Sequence, residues 1–398
     1  MNRQFKLSRN SVTRLTLDML SAELASTRGR TPLELGAAQW GIDTHLDEDG
    51  LELDSLERLN ASSALNAYFH LHEYGAEDYL LAMQTVSDWV DLIMQSLADT
   101  GERLTFRTSG STGKPKECVH RVRDLVAEAQ IWADMFSATK RIVSLVPSHH
   151  IYGTLWSIFL PQILGVPCHY DRLTPSRAIR EASDGEPTIV VATPTMWQFL
   201  EKSFPEFSPN LLGVTSTGPM PTDLGTALRA KGLARLIEIY GSSETGAIGW
   251  RDQNEAEYQL LDQWRRTETS QLVRVDGGND GDINPVMDKL RWKDDRHFTV
   301  EGRIDGAVQV GGYNVFPDRI RTTLLKRPGV KDAAVRLDEQ SGRLKAFLVP
   351  LSGEGDGPDL IEQIDKWCSE ALTNHERPRS FAFGAELPLN EMGKLQDW

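Results

Sequence analysis

The chain has 398 residues, 40% hydrophobic and 25% charged, a globular composition whose length predicts two or three domains rather than one core. A formal net charge of −14, from 43 basic against 57 acidic residues, excludes nucleic acid as the main partner, because clustered cations carry that binding. Cys118, Cys168 and Cys368 are too far apart for a metal knuckle or a disulfide framework. With no apolar leader and no apolar run of about 18 residues, a cytoplasmic protein without a membrane partner is expected.

Residues 11–95 carry apolar positions at three-to-four-residue spacing, Leu15, Leu17, Met19 and Leu20 early, then Leu56, Leu59, Leu65 and Phe69, which predicts a helical bundle. From Leu104 to about Trp292, apolar β-branched runs such as Ile142–Val146, Thr188–Ala192 and Leu236–Tyr240 alternate with helix-like stretches, which predicts an α/β layered domain. The polar, Gly/Asp-rich segment 263–285 reads as a surface excursion. After Gly302-Arg-Ile-Asp305, strand-like Ala307–Val310, a helix near Pro317–Lys326, a strand at Ala333–Leu337 and a last helix before Asn374 predict a small α+β domain. The expected boundaries are 1–100 (helical), 101–303 (α/β core) and 304–398 (small C-terminal α+β domain).

Just after the first strand comes a loop of Thr108, Ser109, Gly110, Ser111, Thr112, Gly113 and Lys114, followed by Pro115 and Lys116. Backbone N–H groups, hydroxyls and ammonium charge suit a polyphosphate, although such a loop alone is equally a surface turn. The P-loop NTPase pattern is excluded, because Pro115 occupies the position that needs a magnesium-binding hydroxyl.

The run from Thr108 to Lys116 resembles the phosphate-binding signature of the adenylate-forming superfamily, which includes acyl- and aryl-CoA ligases, luciferases and peptide-synthetase adenylation domains. Further motifs follow in that family's order. Tyr240-Gly-Ser-Ser-Glu-Thr-Gly246 resembles the segment that faces adenine and substrate, which implies ATP contacts from Tyr240, Ser242 and Ser243 and a magnesium-side role for Glu244. Thr215-Ser-Thr-Gly-Pro-Met-Pro221 resembles the adenine-side turn, with Gly218 and Pro219 as contacts. Asp288 stands 14 residues before Gly302-Arg303, the spacing of the ribose-binding aspartate and the Gly-Arg pair, although Val286-Met287 replaces the usual Thr-Gly. The resemblance further implies a hinge at Asp305, a thiol tunnel at Gly311, Gly312 and Tyr313, and a catalytic ammonium at Lys394.

In the same terms, Val146-Pro-Ser-His-His-Ile-Tyr152 resembles the segment where acid ligases place a catalytic histidine, here His150, beside the substrate carboxylate. His149, Tyr152 and Thr217 complete the implied acid pocket. The segment has no aspartate to pair with a substrate ammonium, so an aryl or acyl acid without an α-amino group is expected.

Ordinary members carry a long segment before the phosphate loop, and here the loop arrives at residue 108, so a truncated large domain is expected. Upstream, Asp54-Ser55-Leu56 opening a helix resembles the phosphopantetheine site of an acyl carrier protein. A plain helix N-cap uses the same residues. The expectation is therefore ATP- and Mg2+-dependent formation of an acyl-AMP and transfer to 4'-phosphopantetheine on a carrier protein, in cis on Ser55 or in trans. The alternatives are a ligase using free coenzyme A, or a non-catalytic carrier-docking or acyl-binding protein.

Overall fold

Three helices come first, α1 (Arg9–Arg28), α2 (Ser55–Phe69) and α3 (Val86–Thr100). The computed structural model describes the chain except residues 1–4, 48–49, 101–102, 109–115, 172–174, 183–184, 254, 269–270, 276–282, 285, 305, 339–340, 352–357 and 390–394. The Ser8 hydroxyl caps α1 by accepting from the Ser11 N–H, and Gly29 ends it at φ 61°. A capping box opens α2: Asp54 accepts from the Glu57 N–H while the Glu57 carboxylate accepts from the Asp54 N–H. The inward face of α2 is Glu57, Ala61, Leu65, Tyr68 and Phe69. Leu56 and Leu59, expected inside, are therefore 60% and 48% exposed.

These helices do not form a carrier-like bundle of their own. The chain divides into a large unit, Met1–Arg107, Glu117–Pro285 and Trp292–Thr299, and a smaller one whose main parts are Val286–Arg291 and Val300–Trp398. Within the large unit the Phe5 ring stacks on Phe159 at 5.0 Å, Arg14 lies over the Tyr170 ring at 4.3 Å, and the Tyr68 and Thr154 hydroxyls meet at 3.1 Å. A carrier domain must be able to move as a separate body, whereas these helices pack into the large unit.

The rest of the large unit is a layered α/β fold. β1 (Arg103–Thr108) and β2 (Lys116–Arg121) form a two-stranded sheet, and the chain runs from β2 directly into α4 (Val122–Met135). β3 (Arg141–Ser144) is followed by α5 (Ile151–Thr154), a π-helical turn over Leu155–Phe159, α6 (Leu160–Leu164), β4 (Cys168–Tyr170) and α7 (Pro175–Ala182). β5 (Thr188–Ala192), α8 (Pro194–Ser203), β6 (Leu211–Thr215), α9 (Thr222–Ala230) and β7 (Arg235–Ser242) continue the alternation. Every residue of β5 is buried, as a strand covered on both faces requires.

β8 (Gly246–Asp252) and β9 (Tyr258–Leu260) then turn antiparallel, and β10 (Trp264–Arg266), β11 (Leu272–Arg274) and β12 (Ile283–Asn284) make a separate antiparallel sheet. Segment 263–285 is thus no simple excursion, since Trp264, Leu272 and Val273 are buried. A hairpin of β13 (Asp288–Trp292) and β14 (His297–Arg303) has its tip in the large unit and its base in the small one. The main sheet runs β13-β14-β9-β8-β7-β6-β5-β3-β4, parallel from β7 to β4. One face is filled by Trp197, Leu200, Leu211, Leu228 and Leu236 under α7, α8 and α9.

The small unit contains the hairpin β15 (Val308–Val310) and β16 (Tyr313–Val315), then α10 (Pro317–Leu324), β17 (Val330–Asp338), β18 (Arg343–Pro350), α11 (Pro358–Ala371) and β19 (Ser380–Phe383). Its sheet runs β17-β18-β19, with Ile320, Leu324, Ala346, Leu348, Ile364 and Cys368 in one core. Trp398 packs edge-on against Phe347 in a second cluster. Among the described residues, no helix is long and apolar enough to cross a membrane.

Candidate active site

The four parallel strands β3, β5, β6 and β7 end side by side: Ser144 lies beside Val191, Ala192 beside Thr215, and Thr215 beside Glu238. The chain leaves β3 outward to β4 and returns to β5 on the other side, so strand order reverses between β3 and β5. In α/β sheets ligands sit beyond the carboxyl ends of the strands at such a point. The segments leaving these ends are Val146–Tyr152 from β3, Ser216–Pro221 from β6 and Ser243–Thr245 from β7. They carry His149, His150, Tyr152, Thr217, Gly218, Pro219, Ser243 and Glu244, and Tyr240 and Ser242 lie in the last turn of β7.

Thr217 holds φ at 76°, a conformation that a β-branched residue rarely adopts, and its hydroxyl is buried with no hydrogen-bond partner among the described residues. Strain combined with an unspent donor marks a position that a ligand would complete. The loop around it is fixed from β7, because the Ser216 hydroxyl donates to the Ile239 carbonyl (3.0 Å) and the Met220 N–H donates to Glu238 (3.0 Å). Glu238 is 1% exposed and is neutralised by a two-pronged Arg251 at 2.9 and 2.7 Å.

The turn bearing Glu244 is held on three sides. The Thr245 hydroxyl donates to the Gly246 carbonyl and accepts from the Ser242 N–H and hydroxyl, so Ser242 closes the turn. The Ser243 carbonyl accepts from His120 Nε2 at 2.6 Å, which fixes that nitrogen as protonated; burial pushes His120 below the usual imidazole value and keeps it neutral. Behind the turn, both Glu128 oxygens accept from the Ala247 N–H at 3.1 Å, while Gln263 and Trp264 donate to the Ala247 carbonyl. Glu128 is 1% exposed, and burial pushes its carboxyl up to about 7. Gly246 has to be glycine here, since its φ is +72° and a Cβ would lie 2.4 Å from Glu128 Oε2. Tyr240 packs against Tyr258 and Phe298 at centroid distances of 5.6 and 5.5 Å.

His150 is the N-cap residue of α5, and its ring lies 4.5 Å from that of His149. Tyr152 is buried, and its hydroxyl donates to the Val214 carbonyl at 3.0 Å, so that group is spent inside the protein. Lys116 is exposed at the start of β2; Thr108 ends β1.

The hairpin of β13 and β14 explains a spacing. It is closed at the tip by Lys293 N–H donating to His297 O and at the base by Ile304 N–H donating to Met287 O, which sets Asp288 opposite Gly302-Arg303. Gly311 and Gly312, at φ 59° and 86°, form the two-residue turn of the next hairpin, and Tyr313 stacks on His375 at 3.8 Å. Leu389 and Leu395 pair in an antiparallel bridge. Ser109 to Lys114, Asp305 and Lys394 lie outside the described residues, as does the side chain of Thr108.

His120, Glu128 and Thr245 were not singled out from the sequence. For Glu128 a signal existed: it interrupts the apolar stripe Leu125, Ala129, Trp132 on α4, and a carboxylate in such a stripe needs a partner.

The strand-end site, the ordered motifs and the separate C-terminal unit define an AMP-forming acid–thiol ligase. Residues 105–270 match the AMP-binding enzyme family and residues 320–394 match its C-terminal domain, and the chain belongs to that family. It is 36% identical to a 4-coumarate–CoA ligase of Halorhodospira halophila over 98% of this chain and 99% of the relative. It is 37% identical to a 4-coumarate–CoA ligase of Rhodobacter capsulatus over 97% and 100%. Among solved structures, an amide bond synthetase from Marinactinospora thermotolerans superposes with a TM-score of 0.61 over 96% of this chain and 92% of that one, at 15% identity, a likeness of fold alone.

Two expectations are corrected by these findings. The relatives are CoA ligases by name, which overturns the carrier-protein acceptor, in cis on Ser55 or in trans, and with it the expected phosphopantetheine on Ser55 or a carrier. Ser55 is the first helical residue after the Asp54 cap, in a segment packed into the enzyme. The relatives also align with this chain over nearly their whole length, so the short segment before residue 108 is shared with them and gives no support to the expected truncation.

Proposed function

We propose that this enzyme joins an aromatic carboxylic acid of the 4-coumarate type to free coenzyme A in two half-reactions. In the first, a carboxylate oxygen of the acid attacks the α-phosphorus of ATP, and pyrophosphate leaves. In the second, the coenzyme A thiolate attacks the carbonyl carbon of the acyl-AMP, and AMP leaves. The end-to-end similarity to the two 4-coumarate–CoA ligases is the observation that carries this reading.

In this reading the loop from Thr108 to Lys116 holds the polyphosphate, the turn at Thr217–Pro219 and Tyr240 face the nucleotide and acid, and Asp288 and Arg303 grip the ribose side. Magnesium, when bound, neutralises phosphate charge, and Glu244 suits a hard cation that needs only one or two protein carboxylates. His150 lies beside the acid's carboxylate, with His149 near it. Lys394 stabilises the charge that develops at the α-phosphate, Asp305 serves the change between half-reactions, and Gly311, Gly312 and Tyr313 admit the thiol. The strained Thr217 with its unspent hydroxyl supports the placing of the pocket.

The test is acid-dependent exchange of pyrophosphate into ATP across a panel of hydroxycinnamic, benzoic and fatty acids, followed by CoA thioester formation. 4-Coumarate is expected to lead the panel. Lys394→Ala is expected to lower exchange by about a hundredfold or more while sparing thioester formation from supplied acyl-AMP. Equal loss of both half-reactions in a folded Lys394→Ala protein would refute the assignment.

A further inference from the structure

The N-terminal helices reach the candidate acid pocket through one buried carboxylate. Asp18 on α1 is 4% exposed, and its Oδ2 accepts from both the backbone N–H (2.7 Å) and the hydroxyl (2.6 Å) of Ser148, 130 residues away. Its other oxygen accepts from Arg14 at 2.8 Å, so the buried charge is paired. Ser148 is itself fully buried and immediately precedes His149 and His150.

The carbonyl of Ser148 is held as well. The Thr154 hydroxyl donates to it at 2.6 Å, and having spent its proton there, accepts from the Tyr68 hydroxyl of α2 at 3.1 Å. Every hydrogen-bonding group of Ser148 is therefore engaged, and the chain of bonds begins and ends on helices that precede the phosphate loop. The turn has little slack elsewhere, since a Cβ on Gly153 would sit 1.9 Å from the Pro147 carbonyl.

We propose that Asp18 is a positioning residue that sets the acid pocket by holding the Ser148–His150 turn, with Tyr68 bracing the turn from α2. The inference deepens the acid-ligase reading and rests on it. It also gives the N-terminal helices a function: from α1 and α2 they hold the turn that carries His149 and His150.

A residue acting in this way moves one kinetic constant and not the others. In the full-length enzyme, Asp18→Asn is expected to raise KM for 4-coumarate by about ten- to a hundredfold, because misplacement of a positioning group by an ångström costs that much. KM for ATP and for coenzyme A should stay within about twofold of wild type. Ser148→Ala, which keeps the backbone N–H bond and the helices' packing, is expected to show the same selective rise at smaller size. In the double variant the two effects should fall short of additive. If Asp18→Asn fails to fold, Ser148→Ala and Tyr68→Phe decide the question. Acid and ATP constants that change in parallel, or acid constants unchanged in all folded variants, overturn the positioning role. A wild-type enzyme that shows no acid-dependent exchange overturns the ligase reading itself, and this inference with it.

Discussion

Replacing Glu128 by glutamine removes a titration from behind the Glu244 turn without removing the acceptor, since the glutamine carbonyl can still take the Ala247 N–H. Burial raises the wild-type carboxyl from 4.5 to about 7 in the folded protein. Between these values the folded state keeps a proton that the unfolded chain has released. The stability this group contributes is thus fully present below 4.5 and is lost as pH rises through about 7. At about 1.4 kcal/mol per pH unit, the loss amounts to about 3 kcal/mol. Glutamine does not titrate, so Glu128→Gln should gain about 3 kcal/mol relative to wild type on going from about pH 5 to about pH 8. Urea unfolding followed by tryptophan fluorescence reads this directly, because Trp132 and Trp264 are buried around the same turn. Wild-type and variant stabilities that move in parallel across this range would show that Glu128 does not titrate there, and would refute the argument.

Asp54→Ala removes the cap of α2 and should lower stability by about 1 kcal/mol in thermal or urea unfolding. By contrast, Ser55→Ala should leave both turnover with coenzyme A and the protein's response to a phosphopantetheinyl transferase, read by intact mass, the same as wild type. Gly246→Ala should cost about 2 kcal/mol from the positive φ and the clash with Glu128. A Glu128→Ala background should relieve part of that cost, and strictly additive melting shifts would contradict the contact.

The motifs were legible because each is a local demand on the chain: a Gly-Gly pair for a two-residue hairpin turn, a Gly where a carboxylate crowds the backbone. What escaped acts across the chain. Glu128 reaches Ala247 over 119 residues, His120 reaches Ser243 over 123 and Asp18 reaches Ser148 over 130, and no window of sequence holds both partners. The misreading at Ser55 has a different cause. Asp-Ser-Leu at a helix start is written alike by a cap and by a carrier site, and the discriminating residue was Glu57, three places after Asp54, which completes the capping box and also takes two bonds from Arg28 at 2.7 Å. Leu56 and Leu59 misled for a related reason: Leu65 and Phe69 do face inward, but the first two turns of α2 turn Glu57 and Ala61 to that face and leave the two leucines outside.

The hairpin that sets Asp288 opposite Gly302-Arg303 gives the 14-residue interval between them a meaning in terms of insertions and deletions. The count is twice a strand length plus a turn, so it is a consequence of pairing and carries no chemistry of its own. Residues added in pairs at the tip, between Lys293 and Arg296, lengthen the interval and leave the two side chains facing each other. A single residue lost from either strand keeps the interval almost unchanged, yet turns one of the pair to the opposite face of the sheet. A search for this pair among distant sequences is therefore better made on strand parity than on distance along the chain.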